Sequence, residues 1–298
     1  MNAIDSVVIN FSPEKLAFLN ICLGFLLFGV ALDIKVSHFQ DIYRYPKAFL
    51  TGVFGQLVLM PILTIILIFV IPMPTSMKLG MILVCACPGG NISNYAVYLA
   101  EGNTALSILL TSFSTLMAII VTPLYFTYLA PIVPDSADLR ASIYVEPFAM
   151  ILTILKIIVI PIVLGMLLNA HYPKLTDKIK PFMKISSLLI FFGIVISAVL
   201  ANIDNINNYL GDVFYIVFIH NALALALGYF WARSMKLPNK DVRAIAIEVG
   251  LQNTGLALIL IFNFFNGLGG MALIAACWGI WHMFSGFVLA MVFRSRQV

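Results

Sequence analysis

Charge is what this sequence has least of. Only 10% of its 298 residues are Asp, Glu, Lys or Arg, against about 25% in a soluble domain. With 62% apolar or aromatic residues and a mean hydropathy of +1.04, the chain reads as a polytopic membrane protein with no soluble domain of useful size. Cysteine is scarce too. Cys22, Cys85, Cys87 and Cys277 all sit in apolar segments, and Cys85-x-Cys87 has no second pair or histidine at metal spacing. They read as small buried apolar residues. The N-terminal "MNAIDSVVINFSPEKLAF" has no basic stretch, so no cleaved signal peptide is expected. Motifs for zinc hydrolysis, for a Ser-His or Asp pair, or for cradling phosphate are missing at any plausible depth, so an enzyme is not expected.

What is there is a series of apolar blocks of about 20 residues, the length of a membrane span. They cover roughly 16–34, 46–71, 77–101, 104–131, 144–169, 182–202, 210–233, 242–266 and 268–293. Nine spans imply opposite sides for the two termini. With the N-terminus outside, the inner loops hold Lys35, Arg44, Lys47, Lys174, Lys178, Lys180, Lys184, Arg233, Lys236, Lys240, Arg243, Arg294 and Arg296. The outer ones hold Lys15, Lys78 and Arg140. That asymmetry is the positive-inside pattern. The net charge of +4 is therefore topological and does not point to nucleic acid. The loop 131–146, with Asp135, Asp138 and Glu146, reads as an exterior solvated segment.

Two regions repeat about 164 residues apart. Each opens with a span carrying polar groups near its start, Gln56 in one and His220-Asn221 in the other. Each then has a proline loop, at Pro74 and Pro238. Fourteen residues after that proline, each apolar block is interrupted, by Pro88-Gly89-Gly90 and by Gln252-Asn253. The first copy enters its broken span from outside and the second from inside. Inverted repeats with paired interrupted helices are a pointer to the midplane site of a secondary transporter. Irregular backbone survives in a bilayer only when packed in protein or lining a wet cavity. Half-helix ends also offer bare carbonyls to a cation and bare amides to an anion.

One acid lies deep in a span. Glu248, in "AIAIEVGLQNTG", is seven residues into its apolar block. A buried carboxylate is a functional hypothesis by default. A proton or a hard cation would offset its charge, and the second would also need oxygen ligands. Ser107 and Thr111 supply two at i and i+4, on one helix face. Ser93 and Asn94 stand at the first break, Gln252 at the second, and Gln56 in the span before the first. One carboxylate among neutral oxygens suits Na+.

The segments "CPGGNISN", "EGNTALSILLTSFST" and "IEVGLQNTGLA", with "PKAFLTGVFGQLVLMP" before and "WHMFSG" after, resemble the bile acid:sodium symporter family over almost the whole chain and in family order. The resemblance implies an all-α membrane protein with inverted repeats and two discontinuous crossing helices, near 77–101 and 242–266. It implies a core domain, 46–131 and 210–298, moving against a panel domain, 16–44 and 144–202. Bacterial members commonly carry a tenth, N-terminal helix, which this chain lacks in the nine-span reading. Two Na+ sites sharing the glutamate are implied. One comprises Ser93, Asn94, Ser107, Thr111 and Glu248. The other comprises Gln56, Glu248 and Gln252 with the carbonyls of Val249 and Leu251. Two positions depart from the family pattern. Asn91 replaces a small hydroxyl residue, and Met283 follows His282 where a polar residue is common; both positions face the substrate cavity in family members.

The resulting expectation is a monomeric, multi-pass symporter of the plasma membrane, the inner membrane in a bacterium. It would import a bile-acid-like or small carboxylate anion with two Na+ by alternating access. The alternatives are H+ coupling through Glu248 and a non-transporting receptor on the same fold. Asn91, Ile92, Asn253, Thr254 and His282 are the candidate substrate contacts. For His282 a structural hydrogen bond to the crossing region is expected over a proton-relay role, and Lys156 attracts an anion, snorkels to the interface or pairs with a backbone carbonyl. His220 and Asn221 are expected to pack against the second break.

Overall fold

The computed structural model describes residues 3–6, 13–32, 46–90, 92–134, 147–200 and 209–295. Asn91, the acidic loop residues Asp135, Asp138 and Glu146, and the loop cations Lys35, Arg44, Arg140 and Arg296 lie outside them. Among the described residues there is no strand beyond one isolated antiparallel bridge, Gly89 to Gln252. Five helical stretches among the described residues are long and apolar enough to cross a bilayer: Pro46–Val70, Thr104–Ile132, Ile151–His171, Leu210–Ser234 and Gly269–Ser295.

In chain order the helices are α1 (Ala3–Ser6), α2 (Pro13–Ala31) and α3 (Pro46–Val70, with a π-helical turn at Gly55–Leu59). Then come α4 (Thr75–Ala86), α5 (Ile92–Leu99) and α6 (Thr104–Leu129). α7 runs through Pro147–Ile154, a π-turn at Leu155–Val159 and Ile160–His171, and α8 is Pro173–Leu200. The last four are α9 (Leu210–Ser234), α10 (Asn239–Gly250), α11 (Thr254–Phe264) and α12 (Gly269–Ser295).

The repeat is visible in these bounds. α3, α4–α5 and α6 correspond to α9, α10–α11 and α12. α4 and α10 even start alike, each after a proline at φ −56°, Pro74 with ψ 148° and Pro238 with ψ 147°. A 12-residue helix such as α4 or α10 rises only about 18 Å, short of the roughly 30 Å hydrocarbon core. Neither is long enough to cross it alone.

Packing follows the same logic. α10 lies along α9 closely enough that a Cβ on Gly228 would come 2.9 Å from the Ala246 Cα. α4 meets α12 in the same manner, with Gly80 against the Met271 Cα at 2.9 Å. The two broken segments form the centre of the apolar core, with Trp278 and Phe265 among its largest buried side chains. α2 packs on α7 and α8 and touches this centre through α11.

Three contacts join the α5–α6 connection to the start of α10 and the end of α12. The Asn103 N–H donates to the Lys240 carbonyl at 2.9 Å, Arg243 donates to the Ala100 carbonyl at 2.8 Å, and Glu101 pairs with Arg294 at 3.6 Å. Among the apolar blocks, 182–202 differs most, because α8 begins at Pro173 and carries Pro181 inside. Its first turns hold Lys174, Lys178 and Lys180, so a reading of hydropathy sees only the apolar remainder.

Candidate functional site

The two interruptions cross each other. The Gly90 N–H donates to the Leu251 carbonyl and the Asn253 N–H to the Pro88 carbonyl, both at 2.8 Å. These two bonds form the Gly89–Gln252 bridge and satisfy backbone groups that neither helix can serve. Neighbouring helices complete the satisfaction. Thr122 donates to the Ala86 carbonyl at 2.6 Å, Ser114 accepts from the Gly89 N–H at 3.2 Å, and Asn221 donates to the Gly250 carbonyl at 2.7 Å. Unpaired groups at this depth would each cost several kcal/mol.

Both glycines sit where a side chain would be crowded, Gly90 by backbone and Gly89 by side-chain ends. A Cβ on Gly89 would stand 2.9 Å from both Gln56 Nε2 and Glu248 Oε2, and one on Gly90 2.9 Å from the Gln252 carbonyl oxygen. The first distance also shows that Gln56 and Glu248 converge on one point beside the break.

Around Glu248, which is 1% exposed, the hydroxyls close in. Ser93 Oγ lies 2.5 Å from Oε1, Thr111 Oγ1 lies 3.0 Å from Oε1 and 2.9 Å from Oε2, and Ser107 Oγ also donates to Oε1. Asn94 Oδ1 joins them, 2.8 Å from Ser107 Oγ and 3.3 Å from Thr111 Oγ1, while Ser93 and Thr111 lie 3.4 Å apart. The five residues come from α5, α6 and α10. Each hydroxyl carries one proton, and an amide oxygen and a carboxylate carry none. More oxygen pairs are in range than there are protons to join them.

Gln56 Nε2 and Glu248 Oε2 both approach Gly89, which Gln252 pairs with in the bridge. Gln252 Nε2 donates to the Val249 carbonyl at 3.0 Å, while its Oε1 and the Nε2 of Gln56 are buried without a hydrogen-bond partner among the described residues. Val249 and Leu251 contribute carbonyls at the end of α10. No cluster of three or more His, Cys, Asp or Glu capable of holding a metal occurs among the described residues. The donor set is thus oxygen-rich with one formal charge, the kind that suits a hard monovalent cation more than zinc.

The model of the sodium bile acid symporter family matches residues 20–209. The chain belongs to that family. It is 33% identical over 282 residues to an "uncharacterized sodium-dependent transporter YocS" of Bacillus subtilis, covering 95% of this chain and 84% of that protein. It is 32% identical over 254 residues to two Arabidopsis thaliana proteins, each covering 82% of this chain and 60% of theirs. These are a "probable sodium/metabolite cotransporter BASS5, chloroplastic" and its BASS6 counterpart. This is a family of sodium-dependent membrane transporters.

Other residues singled out in this family member fall as follows. Asn253 caps α11 by accepting from the Leu256 N–H at 3.0 Å, and the Thr254 N–H bonds the Gln252 carbonyl at 3.0 Å. Both side chains are buried, and Ile92 at the start of α5 is half-buried. His282 is buried on α12, and Met283 is buried beside it. Asn221 does reach the second break, and Ser285 donates to its Oδ1 at 2.5 Å. His220 turns elsewhere: its Nε2 lies 2.8 Å from Thr64 Oγ1, and its ring meets Trp278 edge-on at 4.5 Å. Lys156 is exposed, on the π-turn of α7. Ser114 and Thr122 were not foreseen as site residues. Their signal was polarity on the one face of α6 that also carries Ser107 and Thr111.

Proposed function

We propose that this protein is a Na+-coupled symporter that imports an organic anion by alternating access, with two Na+ sites sharing Glu248. The observation that carries the reading is the crowding of oxygens around that carboxylate. Three hydroxyl protons cannot satisfy every oxygen approach among Ser93, Asn94, Ser107, Thr111 and Glu248. A bound cation turns those surplus approaches into ligation. The Gln252 Oε1, buried without a hydrogen-bond partner among the described residues, and the Val249 and Leu251 carbonyls would supply a second set, with Gln56 joining through its carboxamide oxygen. Glu248 would offset part of the charge of both ions.

In this mechanism Na+ binding first fixes the two breaks in one geometry. The crossing then presents Ile92, Asn253, Thr254 and His282 to a carboxylate or similar group. α3–α6 and α9–α12 act as the core, which shifts against a panel of α2, α7 and α8, in a nine-span threading with the N-terminus outside. With two Na+ per monovalent anion, one net positive charge moves inward, and each 100 mV of membrane potential contributes about 2.3 kcal/mol. The rival is proton coupling, since the hydrogen-bond partners described for Glu248 are neutral hydroxyls.

The test is uptake of a panel of organic anions into proteoliposomes at fixed pH, with Na+ replaced by choline. Loss of uptake in choline is expected; undiminished uptake discards sodium coupling in favour of the proton. Glu248→Ala should abolish the Na+ dependence. Gln56→Ala should weaken Na+ affinity without unfolding the protein.

A further inference from the structure

The turn that carries Gln56 is built in an unusual way, and its construction points to a residue outside both cation sites. In α3 the order is Phe54-Gly55-Gln56-Leu57-Val58-Leu59-Met60-Pro61. Pro61 has no N–H, so the Leu57 carbonyl four residues back loses its α-helical donor. The ladder answers by widening: the Met60 N–H reaches the Gly55 carbonyl, a step of five residues. One extra residue is thereby wound into the turn, as in π-bulges generally. A widened turn at this depth holds its shape only if its stranded carbonyl finds a donor.

Tyr125 on α6 is that donor. Its hydroxyl bonds the Leu57 carbonyl across a sequence gap of 68 residues. Tyr125 stands fourteen residues beyond Thr111, close to four helical turns on the same face of α6. One helix thus presents Ser107 and Thr111 to Glu248 and, further along, fastens the peptide next to Gln56. Gln56 in turn aims its carboxamide at the point that Glu248 Oε2 also reaches.

We propose that Tyr125 is a positioning residue for Gln56: its bond to the Leu57 carbonyl holds the π-turn in the register that faces the carboxamide toward Glu248 and the second break. This rests on the reading that Gln56 is a Na+ ligand. Without the hydroxyl, the Leu57 peptide must rotate toward another donor, and Gln56 moves with it. With Pro61→Ala, position 61 regains an N–H for the Leu57 carbonyl, the turn closes as α-helix, and the hydroxyl becomes redundant.

The experiment is a Na+ titration of thermal stability on the purified full-length chain, with choline holding ionic strength constant and no organic anion present. Tyr125→Phe is expected to raise the half-effective Na+ concentration about 5-fold, the loss of one net hydrogen bond. Tyr125→Phe combined with Gln56→Ala should be no worse than Gln56→Ala alone. Pro61→Ala should raise the half-effective concentration by itself and make Tyr125→Phe silent. If Gln56→Ala weakens Na+ binding while Tyr125→Phe leaves it unchanged, or if the two effects simply add, the positioning role is overturned. If Gln56→Ala has no effect, the ligand reading beneath it fails instead. Should Tyr125→Phe not fold, Pro61→Ala decides alone, and a wild-type Na+ response in that variant overturns the proposal.

Discussion

The Asn253 N–H meets the Pro88 carbonyl at 2.8 Å, and the Gly90 N–H returns the bond to Leu251 at the same distance. The two interrupted helices therefore form one joint, in which each uses the backbone groups the other has given up. A cation held at one break is mechanically tied to the other. That connection is what a coupled transporter needs, because ion occupancy must set the geometry offered to the second cargo.

Gly89 faces the carboxylate in this joint. A methyl there would lie 2.9 Å from both Gln56 Nε2 and Glu248 Oε2, pushing side chains apart without meeting backbone. Gly89→Ala should fold, with a melting temperature in choline within a few degrees of wild type, yet lose stabilisation by Na+. Thermal melts in the two salts check this, and a wild-type Na+ response would contradict the shared-carboxylate arrangement.

Thr111 is the hydroxyl that spans both carboxylate oxygens. Thr111→Val keeps the shape and removes the oxygen, and the half-effective Na+ concentration should rise about 10-fold, equivalent to about 1.4 kcal/mol. Ser112, next in sequence, has no hydrogen bond to Glu248, Asn94 or Ser93, so Ser112→Ala should leave the titration unchanged. Equal effects from the two variants would mean that the response reports helix packing and not ligation.

Much of this site was legible in the sequence because its signals are local. Pro88-Gly89-Gly90 breaks an apolar run within three residues, Ser107 and Thr111 declare one face by spacing, and Glu248 is conspicuous for the cost of its burial. The partners of His220 and Asn221 were less so. Adjacent residues on a helix point about 100° apart, so Asn221 reaches Gly250 while His220 reaches Thr64, and no local pattern says which goes where. The π-turns were invisible, since an added residue per turn leaves composition unaltered. A proline two residues after each, Pro61 and Pro161, is the trace they leave. The bonds from Tyr125, Ser114 and Thr122 each join elements far apart in the chain, and periodicity carries no information about that.

Asp5 illustrates a contact that only the fold supplies. Its Oδ1 accepts from the Ser76 N–H at 2.8 Å, so the short α1 caps the first turn of α4. The carboxylate also lies at the positive end of the α4 dipole. Asp5→Ala should cost about 1 kcal/mol, lowering the melting temperature by about 2–4 °C. The half-effective Na+ concentration should not change, because the cap lies a full half-helix from the break. A shifted Na+ titration would instead tie this end of α4 to the ion sites.

Asn20 on α2 and Asn263 on α11 exchange side-chain amide bonds, 3.3 Å in one direction and 2.9 Å in the other. Asn263 also donates to the Ile259 carbonyl at 2.9 Å, so its amide plane is fixed by its own helix before it meets Asn20. The pair joins the proposed panel to the second broken helix, and a core that slides against the panel must part it. Polar pairs between membrane helices couple by about 0.6 kcal/mol on average. Asn20→Ala and Asn263→Ala should each lower the melting temperature, and the double variant should be no less stable than the worse single. A thermal double-mutant cycle measures this directly, since non-additivity isolates the pair from the separate losses of each side chain. Strictly additive losses would mean that the two amides contribute independently, and that this contact does not hold α2 against α11.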